Sequence, residues 1–278
     1  MKSALINPQD RPWLVHVAET AAMTIKRTGE QGTVNKLIEA LDRDRFVLYA
    51  QPIKLVASST GNSDYQEIFI RFLDEEEKLL PPGGFFPILE SYNLMSMLDR
   101  WVVNRVIRWL LAKRKTQGNW NAPRCGINLS NDSISDAEFS RFIKEQLQTS
   151  MAPPGKLAFE VSEADAGAHA ITLKRLIAAL KPLGCGFALT GYSGEFVPVE
   201  LLQALGIDFV KIDSHILTNI HPDDSGFARA KSIHRTCQAT GICTIGEFVE
   251  QPETLEKLKE LGVDYAQGYG IARPEPLT

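Results

Sequence analysis

Six polar side chains lie in or beside short apolar runs, and their types suit a site for a hard cation or an anion. Carboxylate and amide oxygens are the ligands that cations such as Mg²⁺ prefer. One further run, Cys185-Gly186-Phe187-Ala188-Leu189, leads into Thr190-Gly191, where the expected charge is missing. The missing carboxylates decide between an enzyme and a receptor. The six residues are Glu67, Asn128, Glu160, Lys211, Glu247 and Gln267, and the candidate metal ligands among them are Glu67, Asn128, Glu160 and Glu247.

The apolar runs predict β-strands that alternate with helices. Strand-like runs cover residues 46–55, 67–72, 125–129, 157–161, 185–189, 209–212, 242–245 and 265–269. Apolar residues at helical spacing fill most of the gaps, at 98–111, 139–147, 171–180, 227–237 and 255–261. This alternation predicts a TIM-type (β/α)8 barrel, which carries its polar ring at the C-terminal ends of the strands. Only a polar turn separates the first two runs, so they are predicted to form an antiparallel hairpin.

Length and composition fit one barrel with an N-terminal extension. The chain has 278 residues, and a single barrel takes about 250. Residues 1–40 are predicted to be a helical extension or linker, and residues 41–278 the barrel.

The four cysteines lack metal-type spacing and predict free thiols. A net charge of −4 argues against duplex nucleic acid as a partner. The absence of a membrane span or a signal-peptide core in the sequence predicts a cytoplasmic protein.

The order and spacing of these motifs resemble the EAL domain family, whose members bind cyclic di-GMP and, when active, linearise it. The name-giving triplet corresponds to Glu67-Ile68-Phe69, and the likeness runs from about Arg45 to Pro276. It implies a barrel with one antiparallel strand and Glu67, Lys211 and Glu247 as the catalytic residues. Further matching segments are Tyr49-Ala50-Gln51-Pro52-Ile53, Asp99-Arg100-Trp101-Val102, Phe159-Glu160-Val161-Ser162-Glu163, Gly246-Glu247-Phe248-Val249-Glu250 and Ala272-Arg273-Pro274.

The resemblance also locates what is missing. Active EAL enzymes use two consecutive aspartates for a second metal, and two metals together activate water and neutralise the phosphate. The family spacing to Lys211 places those aspartates at Thr190 and Gly191, and a shifted alignment supplies none either. Little or no hydrolysis is expected, with Mg²⁺ or Mn²⁺ needed only for residual phosphodiesterase activity and no cofactor needed for binding. Glu163 matches a glutamate that steadies the next loop, although residues 194–198 depart from the family.

The ligand-binding residues that the resemblance implies are better kept. Arg71 is placed to pair a phosphate through its planar guanidinium. Arg273 could stack on a guanine or bind its O6 and N7 atoms. Gln51 and Gln267 could read guanine edges or hydrate the phosphates. The predicted ligand-binding set is Gln51, Glu67, Phe69, Arg71, Asn128, Glu160, Lys211, Glu247, Gln267 and Arg273.

The leading hypothesis is a degenerate EAL domain that serves as a cyclic di-GMP receptor in signal transduction and relays ligand occupancy to a protein partner. The lost aspartates and residues 159–166 resemble FimX-type regulators of type IV pili and twitching motility, which implies a PilZ-family partner. Two alternatives are a metal-dependent cyclic di-GMP phosphodiesterase and an interaction scaffold that no longer binds nucleotide. A Schiff-base barrel enzyme using Lys211 is a fourth, with no other support in the chain. Oligomeric state stays open, a homodimer included.

Overall fold

A computed structural model of the chain describes residues 37, 39–41, 45–58, 63–74, 76–217 and 225–278. Its strands belong to one sheet that closes on itself. The strands buried on both faces are apolar along most of their length, as parallel barrel strands must be. The strands are β1 (Phe46–Leu55), β2 (Tyr65–Leu73), β3 (Leu79–Leu80), β4 (Arg124–Asn128), β5 (Leu157–Ser162), β6 (Gly186–Tyr192), β7 (Phe209–Ile212), β8 (Cys243–Gly246), β9 (Tyr265–Ala266) and β10 (Glu275–Pro276).

Eight of these strands form the barrel, in the order β1-β9-β8-β7-β6-β5-β4-β2 and back to β1. β1 is antiparallel to both of its barrel neighbours, β2 and β9. The other neighbouring strands of the barrel run parallel. The register pairs Gln51 of β1 with Glu67 of β2. The predicted TIM-type barrel with one antiparallel strand, and the predicted hairpin, are therefore confirmed.

Helices cover the outside of the barrel, and polar caps begin several of them. Ser130, Asp136 and Ser162 each accept a hydrogen bond from a backbone N–H in the first turn of the helix that follows, which satisfies an otherwise unpaired donor. The helices are α1 (Phe86–Ser91), α2 (Met95–Gln117), α3 (Asn131–Ser135), α4 (Ala137–Ser150), α5 (Glu163–Ala168), α6 (Ala170–Leu180), α7 (Val199–Leu205), α8 (Ser214–Leu217), α9 (Ser225–Ala239) and α10 (Pro252–Leu261).

Two apolar clusters fill the molecule. The larger one lies between the strands and the helices and includes Phe46, Trp101 and Phe159. Leu37 and Leu41, from the short helical stretch ahead of β1, also pack into it. The smaller cluster comprises Ile53, Tyr65, Ala158, Ala188, Phe209 and Ile245. These alternate with the residues that face the helices, so they fill the inside of the barrel.

Several predicted boundaries were wrong. β2 begins before residue 67 because Tyr65 and Gln66 also pair with β1. β6 continues past residue 189 to Tyr192 through an irregularity in its pairing with β7. Of the predicted run 265–269, only Tyr265 and Ala266 belong to β9. The two-residue strands β3 and β10 were not predicted.

The predicted N-terminal extension, residues 1–40, lies almost wholly outside the described residues. The four cysteines are free thiols, as predicted. Among the helices of the described residues, none combines the length and the apolar character needed to cross a membrane.

Candidate functional site

A polar layer lies directly above the apolar filling of the barrel. Because side chains alternate along a strand, residues two apart face the same way. Each inward-facing residue of the smaller cluster is therefore followed, two positions further toward one end of the barrel, by a member of the polar layer. The pairs are Ile53 with Gln51, Tyr65 with Glu67, Ala158 with Glu160, Ala188 with Thr190, Phe209 with Lys211 and Ile245 with Glu247.

Lys211 lies at the centre of this layer and is completely buried. Its Nζ atom is 2.5 Å from Glu67 Oε2, 2.6 Å from Glu160 Oε2 and 3.8 Å from Glu247 Oε1. Burial alone would lower the pKa of the ammonium, but the three carboxylates outweigh it and raise the pKa above its ordinary range. The lysine is therefore held as a cation, which opposes the Schiff-base hypothesis because that chemistry needs a neutral amine.

Glu67 is saturated by donors from three other strands or loops. Its Oε1 atom accepts from Asn128 Nδ2 at 2.8 Å, and its Oε2 atom accepts from Gln267 Nε2 at 2.8 Å as well as from Lys211. Gln267 Nε2 also donates to Gln51 Oε1 at 3.0 Å. Burial would raise the pKa of Glu67, but Lys211 and the amide donors bring it below its ordinary value. Glu67 is accordingly an anion that joins these residues into one network.

Glu160 is the most deeply buried carboxylate of the layer, at 1% exposure. Burial raises its pKa to about 7, and Glu67 adds to the rise while Lys211 opposes it. Tyr65 donates its hydroxyl hydrogen to Glu160 Oε1 at 2.8 Å. A Cβ atom at Gly126 would overlap that same oxygen, so the glycine provides the space for the carboxylate. Tyr65 and Gly126 were not predicted from the sequence. Tyr65 could have been found, because it stands two residues before Glu67 on the same strand and so faces the same way.

Strand β6 differs from its neighbours at the level of the polar layer. Its register against β7 shifts between Leu189 and Tyr192, so one extra residue bulges out at Thr190-Gly191. Gly191 has a φ of 61°, in the left-handed region that glycine tolerates best. Burial raises the pKa of the neighbouring Glu247 to about 7, and Lys211 and the backbone N–H of Gly191 oppose the rise. A bulge of this kind redirects the chain beside a site, and here it brings a backbone donor rather than a carboxylate.

Glu163 holds the loop that follows β6. Its Oε2 atom accepts from the backbone N–H and the hydroxyl of Ser193 at 2.7 and 2.9 Å. Its Oε1 atom accepts from the backbone N–H groups of Phe196 and Val197, both at 3.1 Å. The loop-steadying contact that the sequence suggested for Glu163 is therefore present, although the residues of the loop are different.

A cavity of about 310 Å³ opens at the C-terminal ends of β2, β8 and β9. Gln51, Glu67, Phe69, Arg71, Glu247 and Gln267, all predicted ligand-binding residues, line it. Phe248, Glu250, Gly268 and Pro274 line it too and were not predicted as site residues, and Tyr269 completes the lining. The position of Phe248 directly after Glu247, in the motif 246–250, could have indicated that Phe248 also lies at the site.

Arg71 connects this cavity to a second one, of about 390 Å³, which also contains Arg273, Tyr49 and Tyr269. The Arg71 guanidinium lies 5.8 Å from the Tyr49 ring centre and 6.0 Å from that of Phe69. The Arg273 guanidinium lies 5.3 Å from the ring centre of Tyr269. Asn128, Glu160 and Lys211 line neither cavity and belong to the polar network around Glu67.

The candidate metal ligands converge, but around a lysine. Across the described residues, no group of three or more His, Cys, Asp or Glu is arranged so that it could hold a metal ion. Lys211 Nζ occupies the position between Glu67 and Glu160, and Asn128 presents its amide nitrogen, rather than its oxygen, to Glu67. The arrangement is that of a carboxylate cluster neutralised by an internal cation.

Comparison with known proteins identifies the family. Residues 34–274 match the family described as EAL domain, and the chain belongs to it. The chain is 30% identical, over 92% of its length, to the cyclic di-GMP phosphodiesterase PdeB of Shewanella oneidensis, and 29% identical, over 88%, to the cyclic di-GMP phosphodiesterase PdeF of Escherichia coli. The chain spans only 29% and 32% of the length of those two proteins, so it corresponds to one part of each.

Solved structures give the same family. The FimX EAL domain of Pseudomonas aeruginosa bound to c-di-GMP is similar with a TM-score of 0.79 and 25% identity, covering 89% of this chain and 97% of that one. The Xanthomonas citri FimX EAL domain in complex with c-diGMP is similar with a TM-score of 0.79 and 27% identity, covering 88% and 94%. The chain is thus related both to phosphodiesterases and to EAL domains solved with the dinucleotide in place.

Proposed function

We propose that this domain is a cyclic di-GMP receptor that hydrolyses its ligand slowly or not at all. The observation that carries the proposal is the contrast between Lys211, held among carboxylates, and the bulge at Thr190-Gly191, which offers none. A receptor needs donors and a cavity for the dinucleotide. A hydrolase of this family needs two metals as well.

The charge of the site supports binding without metal. Lys211 already neutralises part of the charge on Glu67 and Glu160. Arg71 reaches both cavities, and its guanidinium is suited to a phosphate. Two FimX EAL domains that resemble this chain were solved with c-di-GMP bound. We infer that the dinucleotide occupies the two adjoining cavities, with a phosphate close to Arg71.

The missing aspartates speak against hydrolysis. The affinity of a site for hard metals depends strongly on the number of charged ligands. Glu67 and Glu160, which would be ligands of a first divalent ion, are paired with Lys211 instead, and β6 has Thr190 and Gly191 where the carboxylates for a second ion would stand. A bound ion would stabilise charge on the phosphate and activate water. Without a second one, the domain keeps the ligand rather than cleaving it.

Exposed aromatic rings at the cavity mouth support a further step, the relay to a partner. Phe248 is 69% exposed and Tyr269 is 57% exposed, and both line the first cavity. Phe248 also has a φ of 54°, a conformation that non-glycine residues adopt mainly where the surroundings hold it. A guanine stacked on these rings would present a new surface at the mouth. We infer that a partner protein reads that surface, and the likeness to FimX suggests one of the PilZ family.

Titration calorimetry with cyclic di-GMP tests the receptor proposal. Binding should be equally tight in EDTA and in excess Mg²⁺, because the inferred contacts are arginines and hydrogen-bonding groups. An affinity that collapses in EDTA would instead favour the metal-dependent phosphodiesterase. Complete lack of binding in both buffers would favour the scaffold that has lost the nucleotide.

A pair of aromatic variants tests the place of binding. Phe248→Ala should weaken binding by about 1–3 kcal/mol, the usual contribution of a base stacked on an aromatic ring. Phe196→Ala is the matched control, since Phe196 is 57% exposed but does not line either cavity. Equal affinities of the two variants would place the ligand elsewhere.

Chromatography of the linear product tests hydrolysis. The wild type should give little product at high Mn²⁺. The variant Thr190→Asp/Gly191→Asp should bind Mn²⁺ more tightly and recover part of the activity, because it returns two carboxylates to the site. Robust turnover by the wild type would overturn the receptor proposal in favour of the enzyme, an alternative that the similarity to PdeB and PdeF supports.

Gel filtration with a purified PilZ-family protein tests the relay. A complex should form with cyclic di-GMP and dissociate without it, and Phe248→Ala should weaken it. A complex that ignores the nucleotide would favour the scaffold hypothesis. We propose the cytoplasm as the location of this domain, and the likeness to the FimX EAL domains suggests a role in type IV pilus regulation.

A further inference from the structure

Two consecutive charged residues on α2, Asp99 and Arg100, are buried although they line neither cavity. Asp99 is 5% exposed and Arg100 is 6% exposed. Burying a charge is costly unless it is paired and hydrogen-bonded. Both belong to the motif 99–102 that the proposed function leaves unexplained. Their partners show what they hold.

Asp99 holds the start of α3. Its Oδ2 atom accepts from the backbone N–H of Ser130 at 2.9 Å, from the Ser130 hydroxyl at 2.7 Å and from the Ser133 hydroxyl at 2.7 Å. Ser130 in turn caps α3, since its Oγ atom accepts from Ser133 N–H at 3.3 Å. α3 has only five residues, too few for a helix to persist on its own. Its position therefore depends on this carboxylate.

Arg100 holds the start of the next helix. Its Nη2 atom is 2.7 Å from Asp136 Oδ2, and its Nη1 atom donates to Ser96 Oγ at 2.7 Å. Asp136 caps α4 by accepting from Glu138 N–H at 2.9 Å. The guanidinium also lies 5.2 Å from the ring centres of Phe139 and Phe142. Successive residues of one helix thus fix both ends of the short segment between β4 and α4.

That segment begins at the polar layer. Asn128, the last residue of β4, donates to Glu67, and Ser130 follows two residues later. Leu129 N–H donates to the carbonyl of Glu160 at 2.9 Å. The backbone on both sides of Leu129 is therefore pinned, by β5 on one side and by Asp99 on the other. Asn128 is exposed, and its side chain is held against Glu67 by a hydrogen bond from its amide.

We propose that Asp99 is a positioning residue for the ligand site, which acts through Ser130 to hold the Asn128 amide against Glu67. The inference rests on the proposed function in so far as Asn128 and Glu67 belong to the cyclic di-GMP site. Arg100 assists by fixing α4. A role in helix capping alone would affect stability and leave Asn128 where it is.

The test compares Asp99→Ala with Asp264→Ala. Asp264 Oδ2 makes a chemically similar set of bonds, accepting from Thr244 N–H at 2.8 Å and from the Thr244 hydroxyl at 3.0 Å. It precedes β9 and so lies at the opposite end of the barrel strands. Both variants lose a carboxylate that binds one backbone N–H and hydroxyl groups, but only Asp99→Ala should disturb Asn128.

Two measurements are made on each variant. The side-chain amide resonances of Asn128, recorded by NMR on the ligand-free protein, should move in Asp99→Ala and stay in place in Asp264→Ala. Affinity for cyclic di-GMP, measured by calorimetry, should fall about tenfold in Asp99→Ala only. Asp99→Asn, which keeps the shape and one acceptor oxygen, should recover part of both effects.

Unmoved Asn128 resonances in Asp99→Ala, or an equal loss of affinity in the two alanine variants, would overturn the proposal. If Asp99→Ala does not fold, Ser130→Ala replaces it; this variant keeps the backbone donor to Asp99 and removes both the hydroxyl contact to Asp99 and the cap of α3. A wild type that does not bind cyclic di-GMP would refute the proposed function, whereas the resonances of Asn128 would still decide whether Asp99 positions it.

Discussion

Strand β6 is built like its barrel neighbours β5 and β7 and like β2, but its chemistry at the polar layer is different. On β2, β5 and β7, the residue two positions above the apolar filling is Glu67, Glu160 or Lys211, and the three form a buried ion cluster. On β6, the equivalent residue is Thr190, which is followed by a bulge at Gly191. Barrel geometry therefore fixes where a side chain stands, while the residue type decides whether it can hold a metal.

The largest expected effect comes from the ion cluster itself. Lys211→Met leaves Glu67 and Glu160 buried without their cation. Removing one partner from a buried ion pair costs about 3–5 kcal/mol, and we expect a loss of that size in the free energy of unfolding measured with urea.

Lys259→Met is the control for this loss. Lys259 also pairs with a carboxylate, Glu256 at 2.7 Å, but it is 40% exposed. Surface substitutions of this kind stay within about 0.5 kcal/mol. A loss below about 1 kcal/mol for Lys211→Met would show that the lysine is not the cation on which the cluster depends.

Asp99, which holds the segment after β4, should make the free energy of unfolding depend on pH. Burial raises its pKa to about 6 from 3.8, helped by nearby Asp132 and opposed by hydrogen bonds from Ser130 and Ser133. Between these pH values the folded state binds the proton more strongly than the unfolded chain does, so the contribution of Asp99 to stability falls as pH rises. The fall is at most about 3 kcal/mol.

Comparison with Asp99→Asn isolates this contribution from that of other carboxylates. The difference in unfolding free energy, wild type minus variant, should decrease between pH 4 and pH 7 by up to about 3 kcal/mol. A difference that stays constant over this interval would mean that Asp99 has the same pKa in the folded and unfolded chain.

Arg71 tests whether the ligand is held outside the ion cluster. Arg71→Ala should weaken cyclic di-GMP binding by about 1.5–3 kcal/mol, the usual contribution of hydrogen bonds to charged groups. Arg141→Ala is the matched control, because Arg141 is 69% exposed and lines neither cavity. An unchanged dissociation constant for Arg71→Ala in calorimetry would place the phosphate elsewhere.

The smallest expected effect concerns the bulge. Gly191→Ala should cost about 1–2 kcal/mol of stability, because its φ of 61° is unfavourable for residues with a Cβ atom. Gly83→Ala is the control, since a Cβ atom there meets nothing within 4 Å and its φ is ordinary. Equal stability of the two variants by urea unfolding would show that the bulge relaxes without glycine, and would make position 191 a better place for an aspartate.

Much of the fold and part of the site could be predicted from the sequence. Alternating apolar runs predicted the barrel, and the motifs around Glu67, Glu160, Lys211 and Glu247 predicted residues that do converge. Tyr65 and Gly126 were missed because they act by contact with Glu160, which is distant along the chain. The end of β6 was missed because a bulge has no strand-like alternation of its own.

The residue types at the strand ends can be read directly from the sequence, including Thr190 and Gly191 in the two positions after Leu189, where no carboxylate stands. What the remaining carboxylates contact depends on the three-dimensional fold. Glu67, Glu160 and Lys211 meet because closure of the barrel brings β2, β5 and β7 to one axis, and no local pattern contains that distance. Packing of α2 against the segment after β4 places the carboxylate of Asp99 against Ser130, a contact that the spacing of the two residues along the chain does not predict.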